Sequence, residues 1–409
     1  MSKVLFLNIH GHGHVNPTLG LVEELVNRGE EVTYYCYDEF KERIERTGAT
    51  FRSFKTEVFS RSSSDHKNKN VSMNQMLNFI NTVLQSSESF INDLLDDIKG
   101  INFDYIMYGA SFPYGKILSQ ILKIPSVSSF AIFATPQELE YGGANKINID
   151  SIKGHPVVDT YTKLSNNLMN DYGVKMPGIV ELFFNKGDLN IAYTSEYFIP
   201  HPEYYDSSFK FIGPPTYEIK ENLDFPFHKL KDKKVIYISL GTVFNKADLQ
   251  IYNMFFETFA NTDYVIVMTA YNIDISSFTI PSNFIVRNYV PQSEILKYTA
   301  VAITHAGMNS TNDLIYNHIP FVAIPFGADQ PYIASRAEEL GAAIILDKDK
   351  LSVEDLRNSV EEVLSNTSYL NNINKINESF KQCGGYSEAV DAIFELKSRT
   401  LSELLELNS

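Results

Sequence analysis

Two short stretches of this chain hold residues whose types and spacing could do chemistry. The first is HGHGHVNP at residues 10–17, where His10, His12 and His14 alternate with Gly11 and Gly13. An imidazole can ligate a metal or take up a proton near neutral pH. Alternate residues of an extended chain point to one side, so the rings could converge on a metal. The glycines make a turn instead, and no carboxylate or thiol nearby completes a ligand set. A phosphate cradle would want more backbone N–H groups and a Lys or Arg. On these residues alone a metal site, a phosphate loop and a single reactive imidazole all stay open.

The second stretch is VAITHAGMNSTNDLI at residues 301–315. The apolar run ends at His305, Ala306-Gly307 make a tight turn, and Met308, Asn309, Ser310 and Thr311 open a helix. A helix N-terminus offers unpaired N–H groups and about half a positive charge, which suits a phosphate. Asn309 or Ser310 could serve as a plain cap, but His305, Gly307, Asn309 and Ser310 together exceed what a cap needs. Asp313, one turn on, could grip the vicinal hydroxyls of a ribose or face solvent. NYVPQSEIL (288–296) precedes this stretch and IPFGADQPY (324–332) follows it. In the latter, Asp329-Gln330-Pro331 is a helix-start pattern. VIYISLGT (235–242) runs into Gly241-Thr242, where glycine lets a backbone approach a ligand closely.

These stretches need elements to hold them. KVLFLNI (3–9) reads as a buried strand, Asn16-Pro17 as a helix start, Leu21, Val22, Leu25 and Val26 as its apolar stripe, and EVTYYCY (31–37) as the next strand. That is a β–loop–α–β unit, so a parallel sheet is expected. Further strands are expected at 103–109, 125–133, 189–195 and 209–215, with helical periodicity through 76–98. Residues 60–75 read as a polar surface loop. The Pro- and charge-rich 214–234 restarts the rhythm, with strands expected at 235–240, 264–269, 284–287, 301–304, 320–324 and 342–346. The expected fold class is α/β, two doubly wound parallel-sheet domains facing a cleft, with ligands outside the carboxyl ends of the strands. The boundaries are 1–217, a linker at 218–233, 234–385, and a C-terminal helix at 386–409 packing back on the first domain.

Bulk properties agree. A chain of 409 residues exceeds one core, and 44% hydrophobic residues can fill two. A net charge of −15 disfavours nucleic acid and anionic lipid as partners. Cys36 and Cys383 cannot build a disulfide framework, which fits a reducing cytoplasm. The run Val4–Ile9 is too short for a signal peptide, and no stretch approaches the length of a membrane span.

Taken together, NIHGHGHVNPTLGLVEELVNRGEEVTYY, ISLGT and the ordered block NYVPQSEIL…ITHAGMNSTNDL…IPFVAIPFGADQ resemble the family 1 UDP-dependent glycosyltransferases over nearly the whole chain. The resemblance implies the GT-B fold and an inverting transfer of a hexose, glucose first, from a UDP-sugar. The sugar would go to a hydroxyl of an apolar acceptor such as a flavonoid, another polyphenol or a macrolide. It implies His14 as general base, with His10 and His12 as loop and packing residues. It implies that Tyr289 stacks on the uracil, where plant members carry Trp; that Val290 bonds the uracil edge through its backbone; and that Gln292 bonds the ribose. His305, with Asn309, Ser310 and the backbone near Gly307, would hold the diphosphate. Asp313 stands where plant members have a ribose-binding Glu. Asp329 and Gln330 would hold sugar hydroxyls, with Thr242 near the leaving phosphate. No metal or other cofactor is implied. UDP-sugar and acceptor are the partners.

One departure stands out. The family orients its base with an Asp about a hundred residues on, and the matching stretch FDYIMYGASFPYG has Gly109 there. Losing an orienting carboxylate has cost up to about 10⁴ in rate in other His–Asp systems. A weakened base is therefore expected, helped by water, Ser111 or acidic phenol acceptors. Phe112, Tyr114 and Phe133 are the expected acceptor-pocket aromatics, and the 60–75 loop their lid. A UDP-sugar epimerase and a non-catalytic nucleotide-sugar binder are the competing functions.

Overall fold

The computed structural model describes residues 1–56, 73–131, 152–217, 224–241, 249–327 and 329–407. The chain divides into two compact units. One comprises Met1–Tyr193, His201–Tyr217 and Gly384–Ser409; the other comprises Thr194–Pro200 and Glu218–Cys383. The segment Thr194–Pro200, placed with the first domain from sequence, therefore clusters with the second unit. There its backbone receives Arg336: Nε donates to the Phe198 carbonyl at 3.2 Å and Nη2 to that of Tyr197 at 3.0 Å.

The first unit is built on β1 (Lys3–Leu7), β2 (Glu31–Cys36), β3 (Thr50–Ser53), β4 (Tyr105–Gly109), β5 (Ser126–Phe130), β6 (Leu189–Ala192) and β7 (Phe209–Phe211). All pair in parallel in the order β3-β2-β1-β4-β5-β6-β7. Val4, Leu5, Phe6 and Leu7 are all fully buried, because both faces of a parallel sheet are covered. Leu5 and Leu7 pack with Ile106, Tyr108 and the helices Met73–Asp97 and Pro156–Tyr172, while Phe6 stacks on Tyr34 at 4.3 Å. β3 was not foreseen. It is an edge strand with no fully buried residue, so it lacks the apolar run that marks the others. The strand order reverses between β1 and β4, and the loops leaving these two strands are the topological switch point where such sheets bind ligands.

The first helix differs from expectation. It runs His12–Asn27, with Gly11 as its N-cap at φ 132, ψ 132, so Asn16 does not cap it and Pro17 lies inside it. Only glycine reaches that backbone region without strain, and it turns the chain into the helix several residues early. The C-terminal helix, Gly385–Leu407, packs in the same unit: the Tyr386 ring lies where any Cβ on Gly20 would collide with it, and its hydroxyl donates to the Pro17 carbonyl at 3.3 Å.

The second unit holds β8 (Val235–Ser239), β9 (Val265–Thr269), β10 (Phe284–Arg287), β11 (Thr299–Thr304), β12 (Phe321–Ala323) and β13 (Ala343–Ile345). They form a parallel sheet in the order β10-β9-β8-β11-β12-β13, whose switch point lies between β8 and β11. Its core joins Ile236, Ile238, Ile303 and Val322 to Phe255, Phe256 and Val360 of the flanking helices. Both units are thus the expected doubly wound α/β sheets. Among the described residues no helix is long and apolar enough to cross a membrane.

Candidate active site

The histidine loop leaves β1 at the first switch point. Because the helix begins at His12, His14 is its third residue. A helix N-terminus disfavours a positive charge, and burial acts in the same sense. Desolvation, with His10 nearby, pushes the His14 imidazole down from 6.5 to about 4, so it is neutral at pH 7. A Cβ on Gly11 would sit 3.5 Å from the ring's Cδ2, which places this glycine close to the imidazole. No side chain among the described residues hydrogen-bonds the ring. The other two histidines are engaged separately. His10 Nε2 is 2.7 Å from Glu39 Oε1, and His12 Nδ1 is 3.1 Å from the Arg43 guanidinium, which also donates to Asn16 Oδ1 at 3.2 Å. Rings with such different partners do not converge, and no group of three His, Cys, Asp or Glu that could hold a metal occurs among the described residues.

Gly109 ends β4 beside β1, in a register that pairs Leu7 with Tyr108. A Cβ built on Gly109 would collide with Asn8 Oδ1 and come within 3.3 Å of Asn8 Cγ. The space that a side chain at 109 would enter is filled by Asn8, which is fully buried. Phe112 and Tyr114, expected in an acceptor pocket, are core residues instead. They are 0% and 1% exposed, Phe112 stacks on Phe54 and Tyr114 on Phe90, and the Tyr114 hydroxyl donates to the Val83 carbonyl at 3.1 Å. Aromatic type alone does not separate pocket from core, and here burial against the helix Met73–Asp97 decides it. Phe133, Thr242 and most of the 60–75 loop lie outside the described residues.

In the second unit the strand-to-turn-to-helix reading of 301–315 holds. β11 ends at Thr304, Ala306 adopts a left-handed φ of 61, and the helix Met308–Tyr316 follows with Gly307 as N-cap. The strained residue is therefore the alanine rather than the glycine. Gly307 at the N-cap has no side chain to cap the helix, and Asn309 and Ser310 lie inside it, so neither is its N-cap; a helix start of this kind presents backbone N–H groups that suit an anion. The His305 ring lies between two glycines. A Cβ would come 2.6 Å from its Nε2 at Gly241 and 2.5 Å from it at Gly307. Burial pushes this imidazole down to about 4, and its Nδ1 is buried with no hydrogen-bond partner among the described residues.

Beside it, β10 ends at Arg287 and the chain passes Tyr289, 36% exposed, and buried Val290 to the helix Gln292–Leu296. Gln292 Nε2 donates to Asp313 Oδ2 at 2.7 Å, and its Oε1 accepts from the Tyr237 hydroxyl at 3.0 Å. Burial pushes the Asp313 carboxyl up to about 7, opposed by the Gln292 hydrogen bond. Tyr237 was missed from sequence, since its hydroxyl in VIYIS gives no sign of its partner. Asp329 occupies the N-cap of the helix Gln330–Glu339 without a side-chain cap bond, and burial pushes it up to about 6. Gln330 Oε1 accepts from the Phe326 and Gly327 N–H groups at 2.8 and 3.3 Å, so this amide braces the loop before its helix. His305, Gly307, Asn309, Ser310, Gln292 and Asp313 thus gather at the carboxyl end of one sheet, with Tyr289 and Val290 on the adjoining loop.

Known proteins supply the comparison. Residues 219–382 match the family model described as UDP-glucoronosyl and UDP-glucosyl transferase. The uncharacterized UDP-glucosyltransferase YojK of Bacillus subtilis is 33% identical over 98% of this chain and 99% of its own length. The uncharacterized UDP-glucosyltransferase YdhE of the same species is 35% identical over 97% of this chain and 98% of its own length. Among solved structures, the glycosyltransferase of kitacinnamycin superposes with a TM-score of 0.82 at 22% identity, covering 97% of this chain and 99% of that one.

Proposed function

This chain belongs to the UDP-glucoronosyl and UDP-glucosyl transferase family and is a glycosyltransferase of GT-B fold, and from that premise we propose that it moves a hexose, glucose first, from a UDP-sugar to a hydroxyl of a small apolar acceptor. The observation that carries the donor half is the uncapped helix start after Ala306-Gly307, with His305 beside it and the Tyr237–Gln292–Asp313 chain next to it. The N–H groups there suit the diphosphate, and the neutral His305 can donate to it through one ring nitrogen. Asp313 and Gln292 suit the ribose hydroxyls, and exposed Tyr289 suits a base to stack upon. Asp329 is left to the sugar hydroxyls.

His14 supplies the acceptor half. The acceptor oxygen attacks the anomeric carbon from the side opposite UDP, the bond from that carbon to the β-phosphate oxygen breaks, and UDP leaves with the electron pair. The acceptor proton passes to the unprotonated ring of His14. One displacement inverts the anomeric centre. No metal has a role in this scheme, and a chain with only two cysteines, too few for a disulfide framework, suits a cytoplasmic setting. Acceptors with acidic hydroxyls such as phenols need the least help from a base and are the fitting class.

Incubation with UDP-glucose and a flavonol in the presence of EDTA, with products read by mass spectrometry and NMR, tests the proposal. A new β-glucoside supports it. A new UDP-sugar without glycoside would show an epimerase, and a thermal shift with UDP-glucose but no product would show a binder; either result overturns it.

A further inference from the structure

We infer that Asn8 is the positioning residue for His14 in this chain, and that Gly109 is glycine so that Asn8 can occupy its place. The inference rests on the proposed role of His14 as base. Asn8 follows the last residue of β1 and is fully buried. A buried amide must place its donors and acceptor, and Asn8 does so with local partners. Its Nδ2 donates to the His14 backbone carbonyl at 3.0 Å and to the Tyr34 hydroxyl at 2.8 Å, while its Oδ1 accepts from the Ile9 N–H at 2.9 Å. The Tyr34 hydroxyl lies 2.8 Å from Thr18 Oγ1, which donates to the Val15 carbonyl at 2.7 Å. One amide therefore ties the end of β1, strand β2 and the first turns of the helix into a closed network around the residue that carries the imidazole.

This network acts on the backbone of His14 rather than on its ring. It fixes where the Cα–Cβ bond of His14 points, and Gly11 lies close to the ring's Cδ2. The same amide excludes any side chain at 109, since a Cβ there meets Asn8 Oδ1. The two positions are a matched pair: a larger residue at 109 must displace Asn8 and so release the His14 carbonyl. Gly109→Asp, the obvious attempt to add an orienting carboxylate, would break one positioning device to install another.

The test is a double-mutant cycle on the full chain with UDP-glucose and a flavonol, measured alongside thermal melting. Asn8→Ala is expected to lower kcat at least tenfold, with KM for UDP-glucose within twofold of the parent. In a His14→Ala background the same change should lower the residual kcat less than twofold, because no imidazole is left to position. Gly109→Ala approaches from the opposite side and removes no hydrogen-bonding group; it should reproduce the kcat loss and be non-additive with Asn8→Ala, and it carries the test if Asn8→Ala does not fold. Equal losses in both backgrounds, or an unchanged kcat in Asn8→Ala or Gly109→Ala, would overturn the inference. If His14→Ala itself keeps the parent kcat, the assignment of the base has failed; if His14→Ala is inactive while Asn8→Ala and Gly109→Ala are not, only the positioning role has.

Discussion

At the scale of single residues, the site is set by ionisable groups held away from their usual ranges. His14 and His305 are both pushed down to about 4 by burial, against 6.5 in an open chain. Between those values the unfolded chain binds the proton more tightly, so stability falls as pH drops through that window. A base that stays unprotonated to about pH 4 should keep most of its pH 7 kcat/KM at pH 5.5 if the protein remains folded; a rate already halved near pH 6.5 would contradict the assignment. Asp313 behaves in the opposite sense. Its carboxyl is pushed up to about 7 against 3.8, so the folded chain holds the proton more tightly and this contribution is lost as pH rises from about 4 to 7. Asp313→Asn should therefore gain melting temperature over the parent by about 2–4 °C at pH 8, and progressively less toward pH 4. The strand, turn and helix start around His305 and Asp313 were legible in the sequence, which is why these residues and His14 were singled out as candidates. Asn8 and Tyr237 were not, since a polar atom inside an apolar run gives no sign of its partner. Phe112 and Tyr114 were misread because core and pocket draw on the same residue types.

At the scale of elements, glycines decide how closely backbone and imidazole approach. Gly307 has an ordinary φ of −67, so Gly307→Ala brings no backbone strain, yet its Cβ would press on His305 Nε2. Overpacking of this kind costs about 1–3 kcal/mol. The KM for UDP-glucose should rise about tenfold and the melting temperature fall by about 2–4 °C per kcal/mol lost, and steady-state kinetics with circular-dichroism melts would check both. Strands such as β1 and β9 were legible as continuous apolar runs, because parallel strands are covered on both faces. The half-exposed edge strand β3 carries no such run. The start of the helix His12–Asn27 was placed too late because Asn16-Pro17 is a strong local signal, whereas the φ of Gly11 is a property of the folded loop.

At the scale of the whole molecule, the C-terminal helix is part of the unit that holds His14. Lys397 Nζ bonds both oxygens of buried Glu30, at 2.9 and 3.0 Å, and lies over the Phe394 and Tyr105 rings. Lys397→Met would leave the Glu30 carboxylate buried without its partner, at a cost of up to about 3 kcal/mol. Glu30→Gln with Lys397→Met should recover most of that loss in urea denaturation; a single variant as stable as the parent would show that the pair ties nothing down. The two-domain plan was read from the restart of the βα rhythm; the stretch from Glu218, read as a linker, clusters with the second unit, and nothing local in Thr194–Pro200 announced that it does too.

We propose that one imidazole, that of His14, takes the acceptor's proton during sugar transfer. Turnover of UDP-glucose with a flavonol at pH 7, compared between the parent chain and His14→Ala of equal melting temperature, tests it most directly. A general base contributes about 10²–10⁴ in rate, so the variant should lose at least a hundredfold in kcat while still binding UDP-glucose. A variant that glucosylates the flavonol as fast as the parent would contradict it.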